Sequence, residues 1–422
     1  MNLSPLPLSF YWRLLRDNRN FRLLWLAQIV SELGDWFYSV AIFSFLLELT
    51  GSAQLVATAF LMQVLPQTLT APAAGVINDR ISRKQVMIFA DVSRAAIVLC
   101  MLLVRSRGTL WLLFFLLFCE TVCWGLFEPG RSAVIPNIAK PEEVPAANAL
   151  SSTTWSINFA IGAAVGGFAV VALGREAVFV VNSISFLGSA WLIRRMRFHE
   201  PHAENQPPLR LRDLFDFSEI ASGGRYIARD RKLLATVFVK GGIGLMGANW
   251  VIIPVLGERV FPLKLSGISP QQAGTLGMSA LFASRGFGAL MGAFAAAGFG
   301  KSDAGRLRWI ILTGFLLAGT GYLALGTVAT SLGIAALTLM VAHSGGSACW
   351  ISSTTLLQQQ TEDAFRGRVF STEAAAMTLA LSGSSFLAGR LLDTGMDPRT
   401  VAIGTGVVTL LPAALWITAS RR

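Results

Sequence analysis

The ionisable side chains inside long apolar runs include Glu32 and Asp35 in the first, Glu120 in the fourth, Lys240 in the seventh and Arg285 in the eighth. Each costs about 2.5–3.5 kcal/mol at mid-membrane depth, so together they must be paired, hydrated or in use. Glu32 and Asp35 are three residues apart and share one face of a helix. Counted from Leu23, a rise of about 1.5 Å per residue puts them roughly 14 and 18 Å deep in a core about 30 Å thick. Two carboxyls this close do not ionise together easily in low dielectric, which suits them to loading and releasing a proton. The plainer alternative is that Asp35 anchors its helix by hydrogen bonds. Glu120, roughly 16 Å in from the opposite side, either joins these acids across a cavity or pairs with Arg285. Lys240 and Arg285 either bind an anionic group or pair with Glu32, Asp35 or Glu120, and pairing is the expectation because unpaired buried charge is expensive. Trp36 and Trp124, one and four residues from Asp35 and Glu120, would give such a cavity aromatic walls suited to a bulky amphiphile.

A second group of charges lies where apolar runs meet. The ten residues from Gly75 to Lys84 separate two such runs and hold Asp79, Arg80, Arg83 and Lys84. An acid among three cations at a short helix–helix turn reads as a latch whose partners change when helices tilt. Asp91 and Arg94, three apart, are expected to pair locally, while Glu128 and Arg131 flank Pro129-Gly130 and are expected to engage Asp79, Arg80 or Arg83. With Arg366, Arg368 and Glu373 at the start of the eleventh run, they would form a gate on one side of the membrane.

The elements that must position these residues follow from composition. Hydrophobic residues make up 53% of the chain and charged ones only 14%, with a mean hydropathy of +0.58, against about a quarter charged in soluble domains. This is the composition of an all-α membrane protein. Twelve transmembrane helices are expected, at about 23–48, 53–77, 84–104, 109–128, 145–171, 175–195, 233–257, 271–298, 308–328, 331–357, 367–392 and 400–419. They divide into a cytoplasmic interfacial segment 1–22, an N-terminal six-helix bundle 23–195, a cytoplasmic amphipathic linker 196–232 and a C-terminal six-helix bundle 233–422. Phe10 to Phe21 mixes aromatic residues with arginines as an interfacial helix does, and the run from Leu211 to Lys232, after Pro207-Pro208, repeats the pattern. Of the 35 lysines and arginines, 25 fall at the termini and even-numbered turns and 6 at the odd-numbered turns, which puts both termini in the cytoplasm. The net charge of +11 therefore orients the chain and implies no nucleic acid. The first apolar run is full length and should serve as an uncleaved signal anchor. Cys100, Cys119, Cys123 and Cys349 all lie in apolar runs and read as small buried hydrophobes, with no disulfide or metal site.

The pattern Gly-x-x-x-Asp-Arg-x-x-Arg-Lys at Gly75, Asp79, Arg80, Arg83 and Lys84 resembles the signature loop between the second and third helices of the major facilitator superfamily. Ser82 stands where that family usually has a further glycine. Gln28 to Trp36, Phe127 to Ser132, Ala147 to Leu150 and Gly224 to Ile227 are similar to the drug and siderophore exporter branch, which includes macrolide efflux proteins and the enterobactin exporter. Gly162, Gly166 and Gly167 keep the glycines of an antiporter motif without its proline, and permit close helix packing. The fourth run lacks the arginine found in many proton-coupled drug exporters and carries Glu120 instead.

The resemblance implies a secondary active transporter that exports a lipophilic or amphiphilic small molecule by rocking two bundles around a central site, with protons as the coupled ion. A lysophospholipid or other lipid transporter of the same fold is the alternative. A membrane sensor or an intramembrane enzyme is the alternative of another class. Glu32-Leu33-Gly34-Asp35 lacks the first glycine and the second acid of a membrane aspartyl protease, His199, His202 and His343 form no metal pair, and no phosphate loop for ATP occurs. No cofactor is expected, and the partners are the substrate, protons and the bilayer of a bacterial-type cytoplasmic membrane, around a monomer.

Overall fold

The computed structural model describes residues 8–200, 214, 218–300, 303–362 and 365–420. Among them there are helices and no strands, and twelve helical segments are long and apolar enough to cross a membrane. Pro207-Pro208 and the start of the run from Leu211 lie outside the described residues.

A short helix α1 (Leu8–Asp17) precedes the first six spans: α2 (Arg19–Thr50), α3 (Ala53–Arg80), α4 (Arg83–Cys100), α5 (Leu110–Ile138), α6 (Val144–Leu173) and α7 (Arg175–Arg194). Helix α8 (Ser218–Ile227) follows, and the seventh span is broken into α9 (Arg231–Gly244) and α10 (Asn249–Arg259). The last five are α11 (Pro270–Gly300), α12 (Ala304–Thr327), α13 (Leu332–Gln360), α14 (Arg366–Asp393) and α15 (Pro398–Ser420). Within the first set α2 packs on α6 and α7, α3 on α5, and α4 on α5 and α7; within the second, α13 packs on α11 and α12, α12 on α15, and α9 on α14. The two sets meet chiefly where α6 crosses α11 and where α3 crosses α14. This is the all-α fold of two six-helix bundles.

Small residues decide how closely the spans approach. A Cβ on Gly162 would lie 2.7 Å from Cβ of Trp36, and one on Gly286 of α11 would lie 2.6 Å from Cα of Ala160 on α6. Glycine leaves room for the indole at the first place and lets the two backbones approach at the second. Turns are capped from their own sequence: Asn18, Ser52 and Ser82 accept from the backbone N–H three residues on, and Gly51 closes α2 with φ +68°.

Three boundaries differ from the expectation. The ten residues from Gly75 to Lys84 are mostly helix, because α3 continues through Arg80 and only Ile81 and Ser82 turn the chain. Likewise α5 passes Pro129 and Pro136 to reach Ile138, since prolines are tolerated where neighbouring helices and side chains satisfy the freed backbone groups. The seventh span breaks over Leu245–Ala248. There α14 supplies the missing partners, with Ser384 Oγ donating to Gly244 O (2.9 Å) and Ser385 Oγ to Gly247 O (2.7 Å).

At the end that carries the termini, α1 is packed on the bundle through Leu14, beside Phe21, Val134 and Ala146, while Trp12 stays exposed. Helix α8 fastens to α14, with Tyr226 stacked on Phe365 at 4.3 Å. At the opposite end the two bundles are sealed together. Asp393, closing α14, accepts from the backbone N–H of Ala53 (2.7 Å) and Gln54 (3.3 Å) and from the Ser52 hydroxyl, so it caps the N-terminus of α3 from the other bundle.

Candidate functional site

A cavity of about 410 Å³ is lined by the first bundle, with Trp250 contributed by the second. Its inner wall is aromatic and its side is acidic: Trp36, Phe60, Trp155 and Trp250 stand beside Asp35, Glu120 and Glu32, and Trp124, Gln67 and Glu128 continue the lining toward the termini. Because the far end is sealed, the lining runs toward the side that carries the termini.

The acids are organised by Arg94, whose side chain is only 2% exposed. Its Nη2 lies 2.7 Å from Oδ2 of Asp35, its Nε 2.7 Å from Oε1 of Glu120, and its Nη1 3.7 Å from Oδ1 of Asp91. The guanidinium also rests on the Phe186 ring at 3.9 Å. One cation thus serves three carboxyls on α2, α4 and α5. The expected local pair of Asp91 and Arg94 is the weakest of these three contacts, because a guanidinium has five donors in a planar fork and reaches two further helices. Glu120 is consequently paired with Arg94, and not with Arg285.

Glu32 belongs to a separate chain of polar contacts. It accepts from Nε2 of Gln28 (2.9 Å) and from Nδ2 of Asn158 on α6 (2.9 Å). Gln28 in turn accepts from Nη1 of Arg131 (3.2 Å), and Arg131 Nε lies 2.9 Å from Oε2 of Glu128. Glu128 and Arg131 therefore pair with each other as one turn of α5 allows, and not with Asp79 or Arg83 as expected. Their helix does not end at Pro129, so the two side chains stand one helical turn apart, with Glu128 on the cavity lining.

Two cations of the second bundle depart from the expected pairing with Glu32, Asp35 or Glu120. Lys240 is 2.8 Å from Oε2 of Glu373 and lies over the Trp350 ring at 4.6 Å. Both groups belong to one bundle, α9 against α14, so this pair bridges no halves. Arg285 has no hydrogen bond or ion pair among the described residues, and its Nε and Nη1 are buried without a partner. Instead its guanidinium lies 4.0 Å from the centroid of the Trp250 ring and 4.6 Å from that of Phe159. Aromatic faces attract a cation but leave its N–H donors unused.

The turn from Gly75 to Lys84 is tied to α5 and to the segment that follows α7. Arg83 is 3.6 Å from Asp79 and donates to Asn78 O (3.2 Å) and Ala133 O (3.0 Å), and Lys84 Nζ donates to Met196 O (2.7 Å). Gly75 sits inside α3 with open space where a Cβ would be, and Arg80 ends that helix. Residues that spacing did not single out complete the site: Gln28, Asn158, Phe60 and Phe186. Of these only Gln28 carried a signal, standing one helical turn before Glu32.

The chain matches the model of the family described as "Transmembrane secretion effector" over residues 12–421. It is 24% identical over 401 residues to macrolide efflux protein A of Streptococcus pyogenes, covering 92% of this chain and 94% of that protein. It is also 27% identical over 261 residues to the uncharacterized MFS-type transporter YkuC of Bacillus subtilis, and there the match spans 60% of this chain and 59% of the relative. Among solved structures, a POT family transporter in complex with 5-aminolevulinic acid superposes with a TM-score of 0.74 at 14% identity, over 95% of this chain and 96% of that one.

Proposed function

We propose a function from one premise: the chain belongs to the transmembrane secretion effector family of major facilitator transporters. It is a membrane transporter with efflux relatives, and not an enzyme. Our reading is that it exports a lipophilic or amphiphilic small molecule, exchanging it for protons, while residues 23–195 and 233–422 rock about the central cavity. The observation that carries this reading is the placement of three carboxyls around the single cation Arg94, with Asp35 and Glu120 on the wall of an aromatic cavity. With all three carboxyls ionised the cluster would hold net negative charge in low dielectric, so a proton or a cationic ligand must balance it. Protonation of Asp35 or Glu120 loosens the hold on Arg94 and so links proton binding to the packing of α2, α4 and α5.

The cation bias supports both termini being cytoplasmic. The cavity then faces the cytoplasm and the far-end seal is the outer gate. We take the working unit to be a monomer in the cytoplasmic membrane. The test compares, by mass spectrometry, the medium of cells expressing the wild type with that of cells expressing Glu32→Gln/Asp35→Asn. A compound enriched outside only by the wild type, and lost at least tenfold with the double variant or a protonophore, supports proton-coupled export. Equal export under all three conditions overturns the coupling, and no exported compound overturns the export reading.

A further inference from the structure

Arg285, half-buried, is the one cation of the charged group for which no described residue supplies an anion. Arg94 has Asp35, Glu120 and Asp91, Arg131 has Glu128, and Lys240 has Glu373. Arg285 has only rings, with Nε and Nη1 left over. Two guanidinium donors buried without an acceptor are costly for a helix to carry, and the two ring contacts offset part of that cost at most. Packing does not require an arginine at this place, since an apolar chain of equal volume would fill it at lower cost.

Its position is specific. Gly286, the next residue, is where α11 presses on Ala160 of α6, so Arg285 stands at the crossing of the two bundles. Phe159, directly before Ala160, supplies one of its two rings. The other ring, Trp250, also lines the cavity and stacks on Phe60 (4.7 Å) and Trp36 (6.2 Å). The guanidinium is thus one aromatic ring away from the cavity, at the depth where substrate sites of such transporters form.

Resting on the export reading, we infer that Arg285 is the anion-binding point of the transport site, and that the exported molecule carries a carboxylate, phosphate or similar acidic group beside an apolar or aromatic body. A carboxylate or phosphate oxygen fits the planar fork of guanidinium donors and neutralises its charge. Trp36, Phe159 and Trp250 hold the apolar body by stacking. The acids around Arg94, on the other side of the same aromatic wall, remain for the proton.

The test is binding and needs no knowledge of the natural substrate. Purified full-length protein is titrated calorimetrically with 2-naphthoate and with its neutral twin 2-naphthamide, in wild type, Arg285→Gln and Arg285→Lys. The wild type should bind the acid at least tenfold more tightly than the amide. Arg285→Gln should weaken the acid at least tenfold and leave the amide within twofold, and Arg285→Lys should fall between. A wild type with no preference for the acid, or an Arg285→Gln that keeps the preference, overturns the inference. Such a variant losing export of every compound while keeping that preference also overturns it, and would mean that Arg285 pairs with a cavity acid when the bundles rock. If Arg285→Gln does not fold, the Arg285→Lys comparison decides, with a loss of threefold or more for the acid alone as the supporting result and equal affinities as the opposing one. Failure of the export reading is registered separately, in the medium, and leaves these titrations unaffected.

Discussion

At the scale of single residues, the charges inside the membrane behave as coupled sets, and their worth depends on which partner is removed. Truncating Arg94 leaves Asp35, Asp91 and Glu120 facing one another in low dielectric, and breaking a buried ion pair from one side costs about 3–5 kcal/mol. Arg94→Met should therefore lower the melting temperature of the detergent-solubilised protein markedly. Adding Asp35→Asn and Glu120→Gln should recover much of the loss, because neutral carboxamides need no counter-ion. Lys240 and Glu373 offer the same comparison: Lys240→Met should destabilise, and Lys240→Met/Glu373→Gln should approach the wild type. A single Arg94→Met with an unchanged melting temperature would contradict the view that this cluster ties three helices together. The chemistry of these positions was legible in the sequence, since acids and bases inside apolar runs stand out. Their pairing was not. Spacing joins Asp91 to Arg94 within one helix, but nothing in the order of residues reveals that α2 and α5 bring Asp35 and Glu120 to the same guanidinium.

At the scale of elements, close approach is enforced by glycines whose Cβ would strike backbone. Gly247, in the break between α9 and α10, is the clearest case: a Cβ there would lie 2.3 Å from Leu381 O and 2.8 Å from Leu381 Cα. Gly241, one and a half turns earlier, would meet only the Phe238 ring edge at 3.7 Å. Gly247→Ala should lower stability by about 1–3 kcal/mol through overpacking, whereas Gly241→Ala should be neutral or gain about 0.5–1 kcal/mol from helix propensity. Thermal melts of the two variants side by side give the answer, and an equal shift in both would remove close packing as the reason for the break. Twelve spans were legible because about 20 apolar residues in a row leave few alternatives. Helix ends were less so. Asp79 and Arg80 look like turn residues, yet they extend α3 because the aqueous margin of a membrane accepts charged helical turns as readily as loops.

At the scale of the whole molecule, the two bundles are joined at one end by a helix cap made in trans. Ser52 caps α3 from its own bundle, and Asp393 adds a charged acceptor from the last turn of α14, where Gly389 also rides against Ala57. Arg259 of α10 donates to Gly51 O at the same place. Hydrogen bonds to a charged group contribute about 1.5–3 kcal/mol each way they are measured, and 1.4 kcal/mol is about a tenfold change in an equilibrium. Removing the carboxylate should therefore shift the protein away from the state sealed at this end by about tenfold or more. Hydrogen exchange on Asp393→Ala separates a latch from a mere cap. If Asp393 only caps, exchange should quicken at residues 53–55 alone. If it holds the bundles together, exchange should quicken also where α11 meets α6, around Thr275 and Ser279, which lie against Gly167, because opening that end pulls both crossings apart. We expect the second pattern. The polar contacts sit above an apolar core that holds Ala53 and Ala57 together with Ala388 and Leu392, so losing the carboxylate exposes the edge of that core and loosens both crossings.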